Sequence, residues 1–174
     1  IKNLNNNQIK LIIRSITEQP SLHLVFKNQS FTNKFDYKNK KTSNKSLVVE
    51  NNVEINKLSR FNKGEWWVQD YSSMLPIHLT DNLKGKEILD MCAAPGGKAF
   101  QAISSEANVD IIEKNPKRAQ ILKENLNRLN YKNNIKITDA LNLPETKKYD
   151  FIFIDAPCSS VGTIRKNPEI FFRK

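Results

Sequence analysis

The second half of the sequence predicts an α/β fold, a parallel sheet with crossover helices, and three features carry that prediction. First, short apolar runs stand at Ile88-Leu89-Asp90, Val109 to Ile112, Ile135 to Thr138 and Phe151 to Asp155, with helical patterns between several of them. Strands that alternate with helices join as βαβ units, so these runs read as the first four strands of one sheet. Second, Gly96-Gly97 follows the first run, where glycines let a backbone approach a ligand beyond the carboxyl end of a strand. Third, Ala119, Leu122, Leu126 and Leu129 repeat at helical spacing behind Pro116, which suits a first turn whose amide needs no partner. Those four are core residues, not a site.

Ahead of this half lies a more polar stretch. Ile9, Leu11, Ile12, Ile13 and Ile16 mark a short helix from about Asn7 to Ile16, closed by Pro20, and Leu22 to Phe26 reads as a strand. The next segment, KNQSFTNKFDYKNKKTSNKS, holds no sustained period and many Lys and Asn, so a mobile basic loop is expected. Val48-Val49 and Val53 to Ile55, separated by Asn51-Asn52, predict a hairpin. The boundary between units is expected near Arg60 to Gly64. That gives a small basic α+β extension over residues 1–60 and a main domain over residues 61–174.

Composition limits the partners. The formal charge of +10 and pI near 9.6 suit a polyanion, RNA or DNA, because each Lys or Arg on a phosphate releases a condensed counterion. A solvated Lys-rich face accounts for the same charge without any partner. Only two cysteines occur, Cys92 and Cys158, in no metal-binding spacing, so no metal site is expected. No apolar run is long enough to span a bilayer and no signal peptide is recognisable, so a cytoplasmic protein with reduced thiols is expected, most simply a monomer. The sequence opens on Ile1 and closes on Arg173-Lys174 after an apolar Ile-Phe-Phe, as though cut at both ends.

Three constellations stand where strands end. Asp90 to Phe100, DMCAAPGGKAF, lacks both the GxxxxGK[ST] of a phosphate loop and the GxGxxG of a dinucleotide site, and Ala99 occupies the place of the hydroxyl that would hold magnesium. Glu113 closes the second strand, where a carboxylate can accept both hydroxyls of a ribose; a surface Glu beside Lys114 is the plainer reading. Asp139 ends the third strand and could meet an adenine amino group, although Asp is also common in turns. Asp155 to Ile170, DAPCSSVGTIRKNPEI, puts a carboxylate, a stiffening proline and the Cys158 thiol after the fourth strand.

Together with GEWWVQDYSSMLP upstream, DMCAAPGGK and DAPCSSVGTIRKNPEI resemble the RsmB/Sun-type branch of the RNA 5-methylcytosine methyltransferases, from Gly64 to Lys174. The resemblance implies a Rossmann-like class I methyltransferase fold with S-adenosyl-L-methionine (SAM) as cofactor. By the same matching, Cys92, Ala93, Ala94, Pro95, Gly96, Gly97 and Lys98 form the SAM loop. Glu113 takes the ribose, in a place where the family usually has Asp, and so keeps the carboxylate with a longer reach. Asp139 falls on the adenine side, and Asp155 faces both cofactor and cytosine.

The resemblance also implies a mechanism. The C5 of cytosine is too poor a nucleophile to take a methyl directly, so a thiolate adds at C6 of a base turned out of its stack, and the enamine attacks the sulfonium methyl. The C5 proton then leaves and the thiol is expelled. Cys158 matches the family cysteine that assists release, while the nucleophile belongs to a later TC motif absent from this sequence. The chain alone is therefore expected to be inactive. Small-subunit ribosomal RNA is the expected substrate. Transfer RNA, a non-RNA substrate and a non-catalytic RNA-binding paralogue are the alternatives; a nicotinamide oxidoreductase lacks its glycine spacing.

Overall fold

The computed structural model describes residues 4–18, 20–49, 53–144, 146–159, 163–165, 167 and 170. The chain divides into two compact units, residues 22–156 in one, and residues 1–21 with 157–174 in the other.

In the smaller unit, α1 spans Asn6–Thr17, one residue beyond the expected helix at each end. Asn5 and Gln8 cap it reciprocally, each side chain accepting from the other's backbone N–H, which satisfies two of the amides a helix start leaves open. In the same unit Arg165 Nε donates to the Glu18 carbonyl at 3.2 Å.

The larger unit holds two sheets. The parallel one contains β5 (Glu87–Asp90), β6 (Asn108–Ile112), β7 (Ile135–Lys136) and β8 (Phe151–Phe153) in the order β7-β6-β5-β8. Ile88 stands beside Val109 and Phe151, and Asp90 beside Ile111 and Phe153, so three of the four expected strands end in register at one edge. Helices α4 (Gly97–Ser104) and α5 (Pro116–Arg128) make the β5–β6 and β6–β7 crossovers. The predicted stripe holds: Ala119, Leu122, Leu126 and Leu129 are buried against Ile88, Ile111, Ala99 and Phe100. Asn115 caps α5 by accepting from the amides of Lys117 and Arg118, with Pro116 in the first turn. The opposite face of the sheet is more open, with Ile152 and Ile154 more than half exposed.

The antiparallel sheet departs from expectation. Its order is β2-β3-β1-β4, with β1 (Leu22–Phe26) as predicted, β2 (Asn39–Ser43), β3 (Ser46–Val49) and β4 (Trp66–Val68). The expected basic loop thus contains a short helix, α2 (Gln29–Thr32), and the edge strand β2. β2 reads NKKTS and is mostly exposed, which is how an edge strand escapes pattern reading: charge on an edge discourages pairing with another chain. The hairpin is β2–β3, not the one expected around Asn51-Asn52, two residues outside those described; Ile55–Lys57 is a 3-10 turn.

Strand alternation gives this sheet two apolar faces. Leu24, Phe26, Leu47 and Trp66 fill one core, whereas Val25 and Trp67 point into the core of the parallel sheet. Adjacent tryptophans therefore serve different cores. β4 lies beyond the Arg60 to Gly64 segment yet pairs with β1, and it leads into α3 (Tyr71–His78), whose Met74 and Ile77 are buried in the second core. Among the described residues no helix is long and apolar enough to cross a membrane.

Candidate functional site

The segment after β5 runs between its two neighbouring strands. Met91 N–H donates to Phe153 O of β8 at 3.0 Å, and Ala93 N–H donates to Ile112 O at the end of β6 at 3.1 Å. Gly96 then turns the chain with φ +119, a conformation L side chains rarely adopt, and a Cβ there would lie 2.0 Å from the Phe100 ring. Helix α4 begins at the next residue. Behind the turn stands a buried polar relay supplied by the WWVQD segment. Trp67 Nε1 donates to Gln69 Oε1 at 2.8 Å, and Gln69 Nε2 donates to Gln101 Oε1 at 2.7 Å. A Cβ on Gly97 would come within 3.0 Å of the Gln69 side chain, so the relay defines the back of the turn.

Three carboxylates, Glu113, Asp90 and Asp155, touch this segment, and a fourth, Asp139, follows β7. Glu113 is buried at 3% exposure; its Oε2 accepts from Ala94 N–H at 3.3 Å and its Oε1 from Asn115 N–H at 2.9 Å. A carboxylate has about four acceptor positions, so about two remain for a ligand. Asp90, at 1% exposure, ends β5, and its Oδ1 has no hydrogen-bond partner among the described residues. Burial pushes its carboxyl up to about 7, against the Cys92 amide and Lys98, which favour the charged form. Asp155 follows β8 and its Oδ2 accepts from Lys98 Nζ at 2.6 Å. Asp139 is engaged differently: it pairs with Lys114 at 2.7 Å and caps the 3-10 turn Ala140–Asn142 through Leu141 N–H. Lys114, and then the Leu141 amide, hold the Asp139 carboxyl below the usual range.

The two cysteines are in unlike settings. Cys92 is half-buried in the loop, and burial, followed by the charges of Glu113 and Asp90, pushes its thiol up. It therefore stays protonated at neutral pH and is a poor nucleophile. Cys158 is exposed, not the buried thiol that a lone cysteine usually becomes. It belongs to the smaller unit. Of the segment from Asp155 to Ile170, residues 160–162, 166 and 168–169 lie outside those described.

A sequence profile described as "16S rRNA methyltransferase RsmB/F" matches residues 77–174. The chain belongs to the RsmB/F family. Ribosomal RNA small subunit methyltransferase B of Photorhabdus laumondii is 39% identical to this RsmB/F chain over 118 residues, which is 65% of the chain and 28% of that protein. The counterpart in Yersinia pseudotuberculosis is 37% identical over 122 residues, 67% of the chain and again 28% of the relative. The chain thus spans just over a quarter of the length of these curated relatives.

Among solved structures, PH0851 covers 99% of the RsmB/F chain with a TM-score of 0.81 at 22% identity, over 43% of its own length. NSun6 from Pyrococcus horikoshii, crystallised with SFG, is 32% identical over 62% of the chain and 29% of its own length, with a TM-score of 0.54. The fold is that of a Rossmann-like, class I SAM-dependent methyltransferase, α/β as predicted.

The structure brings Cys92 to Lys98, Glu113 and Asp155 to one edge of the parallel sheet in this RsmB/F chain, while Asp139 is tied to Lys114, the residue after Glu113. Sequence reading missed three residues that touch the loop or its carboxylates. Asp90 carried a signal, since it is the acidic end of an apolar run. Arg118 donates to Ala94 O and lies 3.8 Å from Glu113, while Asn125 Nδ2 donates to Pro95 O at 3.1 Å. Both sit on a helix read only for its apolar face. The polar positions beside that face carried no signal of their own.

Proposed function

We propose that this chain forms the SAM-binding part of a methyltransferase that makes 5-methylcytosine in small-subunit ribosomal RNA. The observation that carries the reading is the convergence of the glycine turn, buried Glu113 and the Lys98–Asp155 pair at the carboxyl ends of β5, β6 and β8, in a chain of the RsmB/F family.

The residues present fit the cofactor. Glu113 keeps about two acceptor positions for the ribose hydroxyls, and the orphaned Asp90 Oδ1 offers a buried acceptor for a cationic amino group. SFG, with which NSun6 was crystallised, is a SAM analogue and supports the same cofactor. Bound SAM would supply a sulfonium methyl as the electrophile. Asp155, held by Lys98, would accept from the exocyclic amine of cytosine or share a proton with N3, selecting cytosine over uracil. Asp139 would have to exchange Lys114 for the adenine amino group to serve the role assigned to it.

Cys158 would assist product release, and the thiolate that adds at C6 would come from a cysteine in a TC pair, which this sequence does not contain. On this reading the chain binds SAM but does not methylate cytosine by itself. Incubating labelled SAM and small-subunit ribosomal RNA with this chain, and with a longer protein of the same reading frame that includes a TC pair, tests both parts. Label in RNA from the longer protein alone is expected. Label placed by the short chain would mean that Cys92 or Cys158 is the nucleophile, and no label from either would overturn the reaction.

A further inference from the structure

We infer that Arg118 and Asn125 are positioning residues that clamp the loop from Cys92 to Lys98 onto α5, and through it set the geometry in which the loop and Glu113 meet a ligand. The inference rests on the SAM reading above and adds two residues to it.

The two side chains are seven positions apart, which places them on one face of the helix, with Leu122 between them. Leu122 is fully buried in the core of the parallel sheet, so the face that carries both polar side chains is anchored at its middle. Arg118 donates through Nη2 to the carbonyl of Ala94, and its Nε lies 3.8 Å from Glu113 Oε2. Glu113 Oε2 in turn accepts from Ala94 N–H at 3.3 Å. Arg118, Glu113 and the Ala94 backbone thus close a ring in which the Ala94 N–H is held by Glu113 and the Ala94 carbonyl by Arg118. One turn pair further along the helix, Asn125 Nδ2 donates to the next carbonyl, that of Pro95, at 3.1 Å.

Two successive loop carbonyls are therefore drawn toward α5. With its carbonyls committed to the helix, the loop is held in one arrangement before any ligand arrives, and a site on a rigid element binds without first ordering itself. The far end of α5 is fixed as well. Arg128 Nη1 donates to Phe61 O at 3.1 Å and to Trp66 O at 3.0 Å, and Lys27 donates to Leu129 O. β4 and the segment before it thereby hold the C-terminal end of the helix that holds the loop.

Four variants test the clamp: Arg118→Ala, Arg118→Lys, Asn125→Ala and the double Arg118→Ala/Asn125→Ala. Three quantities are read on each: the dissociation constant for SAM by calorimetry, amide exchange of residues 92–98 without ligand, and the thermal midpoint. Each alanine variant is expected to weaken SAM by roughly tenfold and to speed loop exchange, and the double variant to lose less than the product of the two, because both act on one loop. Arg118→Lys, which still reaches Ala94 O, should recover part of the affinity. A role in stability alone would lower the midpoint and leave affinity unchanged at temperatures where the variant is folded, and that result overturns the inference. Wild type that fails to bind SAM overturns the cofactor reading; the clamp is then decided by exchange, and unchanged loop protection in both alanine variants overturns it.

Discussion

Lys98 Nζ lies 2.6 Å from Asp155 Oδ2, joining the start of α4 to the end of β8 across the top of the parallel sheet. The Lys98 side chain is 18% exposed and that of Asp155 65%, so the pair sits at the rim of the site. An ion pair with one exposed partner contributes little to folding, whereas on the proposed function the Asp155 carboxylate would contribute directly to recognition of the base.

Asp155→Asn should therefore separate stability from function. The loss of folding stability is expected to stay below about 1 kcal/mol. In a longer protein of the same reading frame that includes a TC pair, the same substitution should lower cytosine methylation by about 100-fold or more. Chemical denaturation of the short chain and methyl transfer by the longer protein measure the two sides, and a large stability loss with normal transfer would reverse the assignment.

Asp90 makes stability depend on pH in a stated direction. Its folded carboxyl is raised by burial to about 7 from an ordinary value of 3.8, so the folded state holds a proton that the unfolded chain has already released. The stabilisation is full below the unfolded value and is lost as pH rises through 7, opposite to carboxyls such as Asp150, which its backbone bond to Glu87 and then Lys86 hold low. Asp90→Asn should remove the loss. The stability difference between variant and wild type should grow by about 4 kcal/mol between pH 4 and pH 8. Urea denaturation across that range measures it, and parallel curves would contradict the buried, protonated carboxyl.

Gly96→Ala should destabilise the chain by roughly 2–4 kcal/mol, combining a left-handed backbone with a clash on Phe100. Gly64→Ala should do so as well, since its φ is +65 and a Cβ would stand 1.9 Å from the Arg128 carbonyl. Gly96→Ala should also abolish SAM binding in the fraction that remains folded, whereas Gly64→Ala should not. Calorimetric titration beside thermal unfolding distinguishes the two, and equal loss of SAM binding would mean that Gly96 matters for folding alone.

These cases show which parts of the molecule could be read from sequence. The parallel half was legible because its strands are short apolar runs and α5 repeats Ala119, Leu122, Leu126 and Leu129 on one buried face. β2 was not, because Lys40 and Lys41 of an edge strand face solvent and leave no alternation to find. α3 carries Pro76 within it and has no clear apolar stripe, so nothing in YSSMLPIH marks it as a helix. The acidic strand ends, Glu113 and Asp155, were visible as chemistry, but the burial that raises Asp90 and the donors that hold the loop depend on neighbours distant in sequence.

On the proposed function, β2 would also meet RNA. Lys40 and Lys41 stand on an exposed edge, and phosphate contacts made there would be sequence-independent. RNA affinity should fall steeply with salt, and changing both lysines to Gln should reduce the slope of log K against log salt by about 1 to 2. Filter binding at several salt concentrations measures the slope. An unchanged slope would assign the basic contacts to another surface.

On the proposed function, the edge formed by the glycine turn and Glu113 binds SAM through its ribose. Titration of the wild-type chain and of Glu113→Gln with SAM in a calorimeter, each shown to be folded by its thermal transition, tests it most directly. Saturable one-to-one binding by the wild type, with affinity reduced by at least about tenfold in Glu113→Gln, is the predicted result. Equal affinity in the two proteins, or no binding by a folded wild type, would contradict it.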